Sequence, residues 1–337
     1  MNAPRVLVTG GAGFVGSHLV DALIARGDDV VVLDDLSTGT RANLAHLDGH
    51  ERLEVVDGST TDAALVEALM ADADACLHLA SAVGVQLVVS NPLRSLLSNV
   101  RGADNVLHAA ARHGVRVLFT STSEVYGKNS DGKLDEDSDR ILGSPFKSRW
   151  NYAIAKSFGE ALAYSLHRDA NAETIVVRLF NTVGSRQTGT YGMVLPSFVR
   201  QAVERRPVTV YGDGTQTRCF AHVADVVQAI LMVFDDPRAI GRVFNIGAGV
   251  ETSILELARR VVEHAGSDSE IVLVPYSEAY DEGFEELGKR APDASLVRAL
   301  TGWEPQRTVD DAIVDVIAYE RARLRAESSV LGRDLSG

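Results

Sequence analysis

Thr9-Gly10-Gly11-Ala12-Gly13-Phe14-Val15-Gly16 decides the fold of this chain. The stretch follows a short aliphatic run, Arg5-Val-Leu-Val-Thr9, and opens a segment, Phe14 to Ala25, in which Leu19, Leu23 and Ile24 recur at helical spacing. Its glycines stand in a G-x-x-G-x-x-G pattern. Gly10 permits a tight turn out of a strand, Gly13 lets the backbone approach a pyrophosphate, and Gly16 lets the following helix pack close to a sheet. Free N–H groups and the positive dipole end at the helix N-terminus suit phosphate. The next apolar run, Val30 to Leu33, ends at Asp34. A carboxylate there accepts hydrogen bonds from a ribose and repels a 2′-phosphate, which favours NAD over NADP.

Outward from this unit the same alternation continues. Leu53 to Val56, Ala75 to Leu79, Val115 to Thr120 and Thr174 to Leu179 read as buried strands, and Pro92 to His113 and Tyr152 to His167 read as helices. Apolar strands alternating with helices predict an α/β protein, a Rossmann-type doubly wound parallel sheet covered on both faces. Beyond Asn181 the texture changes to shorter helices (194–204, 254–264, 309–324) and turn-rich loops such as Tyr211-Gly-Asp-Gly214. The expected organisation is a NAD-binding domain over 1–180, with a returning segment near 219–246, and a smaller α+β domain over 181–337 that binds substrate. Arg242 to Ile246 reads as a strand that returns to the main sheet, and Ser328 to Gly337 as a frayed end.

Charge and cysteine narrow the function classes. The 337 residues carry a formal net charge of −13, which disfavours general binding of nucleic acid. Much of the acid lies between Asp268 and Glu286 and reads as a solvated surface. The two cysteines, Cys76 and Cys219, form no C-x-x-C pattern, so neither zinc nor a disulfide framework is implied. With no basic leader and no apolar run long enough to span a bilayer, a cytoplasmic protein without membrane contact is expected.

Two clusters carry chemistry. Tyr152-Ala-Ile-Ala-Lys156 puts a phenol and an ammonium on one helix face. The ammonium is expected to lower the tyrosine pKa, so that the phenolate takes a proton from an alcohol while hydride leaves the carbon. Thr120-Ser-Thr-Ser-Glu-Val-Tyr-Gly127 places hydroxyls directly after the fifth strand, at the carboxyl edge where such sheets bind ligands, and Thr122 is placed to hydrogen-bond the same alcohol.

With these residues in view, the chain resembles the extended short-chain dehydrogenase/reductase family in its sugar-nucleotide epimerase, dehydratase and decarboxylase branch. The matching pieces are the 9–16 stretch, Asp57-Gly58, His78-Leu-Ala80, 121–127, Tyr152 with Lys156, Arg178-Leu-Phe-Asn181 and Val210 to Arg218. The resemblance implies NAD held by Gly10, Gly13, Phe14, Val15, Asp34, Asp57, Gly58, Leu79, Ala80 and Lys156, with Asp57 on the adenine. It implies a catalytic set of Thr122, Tyr152 and Lys156, and diphosphate contacts from Asn181, Arg218 and Arg290. Guanidinium groups independently suit phosphate oxygens. It also implies a UDP-sugar substrate and a homodimer through the helices 92–113 and 152–167, with Leu96, Leu97, Val100, Leu107, Leu162 and Leu166 as interface positions that also suit packing on the sheet.

The branch shares oxidation at C4 of the sugar and diverges afterwards. By the same resemblance, Ser123 and Glu124 stand where dehydratases carry an acid–base pair, typically Asp-Glu, and the missing aspartate argues against dehydration. Ser148-Arg-Trp-Asn-Tyr152, the 181–189 run and Tyr191-Gly-Met193 look most like 4-epimerases, including ones acting on UDP-glucuronate. Thr122-Ser-Glu-Val-Tyr-Gly127 and Arg149-Trp-Asn-Tyr152 also resemble UDP-glucuronate decarboxylases. Thr188 stands where some uronate epimerases carry an arginine, leaving Ser185, Arg186, Thr122 and Ser123 as donors to a carboxylate. The expectation places 4-epimerisation of UDP-glucuronate first, decarboxylation of the same substrate second, and UDP-glucose epimerisation, dehydration and a non-catalytic nucleotide binder behind them.

Overall fold

The computed structural model describes residues 3–82, 91–129, 132–189, 193–275 and 290–334, with side chains as far as residue 327. Seven strands form its central sheet: β1 (Arg5–Thr9), β2 (Asp29–Asp34), β3 (Leu53–Asp57), β4 (Ala75–His78), β5 (Arg116–Thr122), β6 (Thr174–Leu179) and β7 (Val243–Ile246). All pair in parallel, in the order β3-β2-β1-β4-β5-β6-β7. The order reverses between β1 and β4, which opens a crevice at their carboxyl ends. The late segment predicted to return does so, because Val243 to Ile246 align with Val176 to Leu179.

Described helices are α1 (Phe14–Arg26), α2 (Ala63–Ala71), α3 (Pro92–His113), α4 (Asn151–Ala170), α5 (Val194–Val203), α6 (Val223–Asp235), α7 (Ile254–His264), α8 (Ser295–Thr301) and α9 (Val309–Asp334). Successive strand side chains point to opposite faces, so a strand covered on both sides must be apolar throughout. In β1, Val6 and Val8 pack in one cluster with Leu19 and Leu23 of α1, Ile230 of α6 and Val297 of α8. Leu7 packs in the other, with Val66 of α2, Val106 of α3 and Ala163 of α4. Each such aliphatic side chain fully withdrawn from water contributes about 1.5–3 kcal/mol.

The glycines permit the close approach this needs. Gly10 has φ +73°, and a Cβ there would lie 2.7 Å from the backbone nitrogen of Ala80. A Cβ on Gly16 would lie 2.0 Å from the Gly10 carbonyl oxygen. Any larger residue would push α1 off the sheet.

A third cluster builds the second lobe from Leu195 and Val199 of α5, Leu257 and Val261 of α7, and Ile313 and Val316 of α9. There Val208–Tyr211 pairs in parallel with Ile271–Val274. Residues 276–286 of the acidic stretch lie outside the described residues. The chain end differs from expectation, because α9 runs on to Asp334 instead of fraying from Ser328. Arg323 bonds both Glu320 and Glu327 at helical spacing, which supports the helix up to the expected point of fraying. No described helix is long and apolar enough to cross a membrane.

Candidate active site

A cavity of about 740 Å³ runs along the carboxyl edge of the sheet. Gly10, Gly13, Phe14, Val15, Asp34, Gly58, Leu79 and Ala80 line one end, and Thr122, Tyr152 and Lys156 the other. The second lobe contributes Thr182, Arg186 and Met193 among others. Gly13 begins α1 with no side-chain cap, so the first helix N–H groups are left for a ligand. Asp34 is buried; its Oδ2 accepts from Ala12 N and its Oδ1 from Leu36 N, each at 2.9 Å. Each carboxylate oxygen keeps a lone pair for a ribose hydroxyl. An anion-binding helix end, a glycine turn and this carboxylate in one cavity fit the pyrophosphate and ribose of NAD. Asp57 does not join the lining. Its side chain is exposed at the end of β3 and pairs with Arg41 at 3.5 Å.

Lys156 is brought under the site by the β5–α4 packing. Its Nζ donates to the Thr120 carbonyl at 2.8 Å and lies 5.9 Å from the centre of the Tyr152 ring. Burial pulls the lysine down to about 7, with Glu160 acting in the opposite direction. The expectation for Tyr152 is corrected here. Its phenol is pushed well above the ordinary value, first by burial and then by the charge of Glu124, with only its hydrogen bond with Ser81 opposing. Desolvation disfavours the phenolate more than the spacing of the two residues favours it. Ser81 is in turn fixed by Asn99, to whose Oδ1 it donates at 3.0 Å. Thr122 caps the turn that follows β5 by accepting from Glu124 N at 3.2 Å.

That turn carries an ionic cluster whose charge acts on Tyr152 and whose residues stand outside the lining of the cavity. Glu124 Oε2 accepts from Arg149 Nη1 at 2.5 Å, and Ser123 Oγ lies 3.2 Å from Arg290 Nη1. Ser123, Arg149 and Arg290 are all buried. Burial alone would raise Glu124, but Arg149, Arg290 and Arg218 hold it below the ordinary carboxylate range. Arg218 sits on the strand Thr217–Cys219, whose last carbonyl accepts from Asn181 Nδ2 at 3.3 Å, so Asn181 and Arg218 are neighbours. Arg149 was not singled out from the sequence as a site residue. Its signal is its place in the Arg149-Trp-Asn-Tyr152 run that resembles decarboxylases.

Ser185 and Arg186 are placed elsewhere. Ser185 N donates to Asp315 of α9, its carbonyl meets His18 of α1 at 3.1 Å, and Arg186 pairs with Asp21 at 2.8 Å. Both tie α1 to the second lobe, and Arg186 also lines the cavity that holds Thr122, Tyr152 and Lys156. Of the Tyr191-Gly-Met193 motif, residues 191 and 192 lie outside the described residues.

A cavity that fits NAD, with Thr122, Tyr152 and Lys156 at its inner end, is the arrangement of a nucleotide-dependent enzyme. A profile of the NAD dependent epimerase/dehydratase family matches residues 6–247, and the chain belongs to that family. It is 36% identical over 318 residues to the UDP-N-acetyl-alpha-D-glucosaminuronate decarboxylase of Bacillus cytotoxicus, covering 94% of this chain and 98% of that protein. It is 36% identical over 330 residues to UDP-glucuronic acid decarboxylase 1 of Arabidopsis thaliana, covering 97% and 72%. Among solved structures it is similar to the UDP-glucuronic acid 4-epimerase of Bacillus cereus in complex with UDP-glucuronic acid and NAD, with a TM-score of 0.84, 26% identity and 94% and 99% coverage. The protein is thus an NAD-dependent enzyme of the UDP-sugar epimerase and decarboxylase group.

Proposed function

We propose that the enzyme decarboxylates a UDP-linked hexuronate through a 4-keto intermediate. The ionised Glu124 carboxylate, clamped to Arg149 beside Tyr152, carries this reading. Gly10, Gly13, Asp34 and Ala80 would hold NAD, and the chemistry it supplies when bound is reversible two-electron oxidation at C4 of the sugar. Tyr152, which must first release its own tightly held proton, takes the O4 proton as the phenolate, and Thr122 hydrogen-bonds the same oxygen. Lys156 lies beneath the ring and holds a proton near the β5 terminus. The product of this step is a β-keto acid. Its C5–C6 bond then breaks, the electron pair becomes the C4–C5 enolate, and the Tyr152 hydroxyl stabilises the charge on O4. Protonation at C5 completes the loss of CO2, and return of the two electrons to C4, with the proton on Tyr152 going back to O4, would give the UDP-pentose and restore the oxidised cofactor.

Glu124 favours this outcome electrostatically. A fixed negative charge beside the sugar raises the energy of the substrate carboxylate and is relieved when neutral CO2 departs. Arg290, on Ser123, supplies the opposing cation that admits an anionic substrate. Two curated relatives with high coverage carry names of UDP-uronate decarboxylases, which also supports the reading. The motifs placed 4-epimerisation first. The contacts of Glu124 and Ser123, which spacing does not reveal, support placing decarboxylation first. Epimerisation stays the second reading, supported by the likeness to the Bacillus cereus enzyme.

The test is a substrate panel of UDP-glucuronate, UDP-N-acetylglucosaminuronate and UDP-glucose with product masses. Loss of the carboxyl mass from either uronate supports decarboxylation. An isomer of unchanged mass makes the enzyme an epimerase.

We also propose a homodimer through α3 and α4. Leu93 and Leu97 on α3, and Ile154 and Phe158 on α4, are exposed at four-residue spacing on helices that pack side by side. Three of the interface positions expected from sequence are different. Leu107, Leu162 and Leu166 pack into the sheet cluster.

A further inference from the structure

Asn245 touches neither the cavity nor the catalytic set, yet it is fully buried in the edge strand β7. A polar residue in that position must find partners for all its groups. Its Nδ2 donates to the carbonyls of Leu134, at 2.9 Å, and Asp293, at 3.3 Å. Its Oδ1 accepts from the Tyr126 hydroxyl at 2.7 Å. Its main-chain N–H, on the open sheet edge, donates to Glu136 Oε1 at 2.7 Å.

The two carbonyls belong to segments that pair with each other. Ala291 and Pro292 align in parallel with Lys133 and Leu134, and Asp293 N donates to the Leu134 carbonyl at 2.8 Å. Arg290 is the residue before that bridge, and its guanidinium reaches Ser123. Tyr126 lies three residues after Ser123 and receives a hydrogen bond at 2.8 Å from Arg178, itself bonded to Glu160. One amide side chain thus joins the segment that carries Arg290 to the turn that carries Ser123 and Glu124.

We propose that Asn245 is a positioning residue that sets the Arg290 guanidinium over Ser123, where it engages the anionic substrate. This rests on the reading above only in giving Arg290 a contact with that substrate. Asn245 acts through Arg290 and has no contact with the reacting atoms.

A double-mutant cycle of Asn245→Ala and Arg290→Ala tests it in the full chain with bound NAD. Each single variant should lower kcat/KM for UDP-glucuronate by about 100-fold, the scale of a catalytic group displaced by roughly 1 Å. In the double variant the loss should match Arg290→Ala alone to within about 2-fold, because the two changes remove one interaction. Calorimetry should show weaker UDP-glucuronate binding in Asn245→Ala with NAD content per chain unchanged. Where Asn245→Ala does not fold, Tyr126→Phe replaces it in the cycle and should cost about 10-fold, one hydrogen bond. Losses that multiply in the double variant, or an Arg290→Ala enzyme with full activity, would overturn the proposal. The cycle is read on whichever product the wild type forms. A 4-epimer in place of CO2 would defeat the decarboxylase reading alone, whereas multiplying losses with CO2 as product would defeat the positioning role alone.

Discussion

Arg149 Nη1 lies 2.5 Å from Glu124 Oε2, joining the turn that leaves β5 to the turn that enters α4. The pair is nearly buried and stands beside Tyr152, whose phenol feels the Glu124 charge. Breaking a buried pair leaves one charge uncompensated. The contact therefore sets both the ionisation of Glu124 and the ease with which Tyr152 gives up its proton.

Arg149→Met should move the acid limb of the pH–rate profile upward. Arg149 is the largest of the influences that hold Glu124 below its usual range, so its loss raises the glutamate, and activity needing the carboxylate fails at a higher pH. A profile of kcat/KM with UDP-glucuronate between pH 5 and 9 reads the shift, about which an unmoved limb would be decisive.

Glu124→Gln should separate the two steps. The Glu124 charge raises the Tyr152 phenol, so its removal lowers that pKa, and oxidation at C4, followed as bound-nicotinamide absorbance, should reach its plateau at lower pH. CO2 release should meanwhile fall by about 100-fold or more, on the scale of a lost electrostatic contributor.

Tyr152→Phe should lower turnover by about 10²–10⁴-fold, the usual contribution of a general base. Lys156→Met bears on stability as well. The folded lysine sits near 7 against an ordinary value of about 10.5, so between those limits the unfolded chain holds a proton that the folded chain has released. Wild-type stability without NAD should therefore rise relative to Lys156→Met as the pH rises from about 7 towards 10.5, and the difference should be flat below 7. Urea titrations across this range check the sign.

Glu160→Ala should destabilise the fold by about 3–5 kcal/mol, because it strands the buried Arg178 guanidinium. Ser121 and Arg140 also bond Glu160. The midpoint of chemical denaturation measures the loss, and a change below about 1 kcal/mol would mean the network carries little stability.

Phe158→Glu with Leu97→Glu should give a monomer by sedimentation, with the sheet core intact by circular dichroism. A dimer that survives both substitutions would place the interface elsewhere.

Much of this was legible because it depends on local order. The 9–16 turn, the strand ending at Asp34 and the Tyr152–Lys156 pair follow from periodicity and short spacing, and their elements form within a few residues of the expected bounds. Even the return of β7 showed as a strand-like run. The rest depends on contacts distant along the chain. Arg149 meets Glu124 across 25 residues, and Asn245 meets Tyr126 across 119. Neither pairing leaves a pattern in the sequence. Burial inverted the expected direction for Tyr152, since the spacing of a tyrosine and a lysine says nothing of how much water reaches the phenol. Leu107 and Leu162 show the same limit, because helical spacing marks an apolar face without saying whether the sheet or a second chain covers it.

The most direct test of the central claim uses UDP-glucuronate labelled with ¹³C at C6. Incubated with the NAD-loaded enzyme and followed by NMR, it should pass its label into CO2 and bicarbonate while a UDP-pentose accumulates. Label retained in a UDP-hexuronate of inverted C4 configuration would contradict the account and make the protein a 4-epimerase.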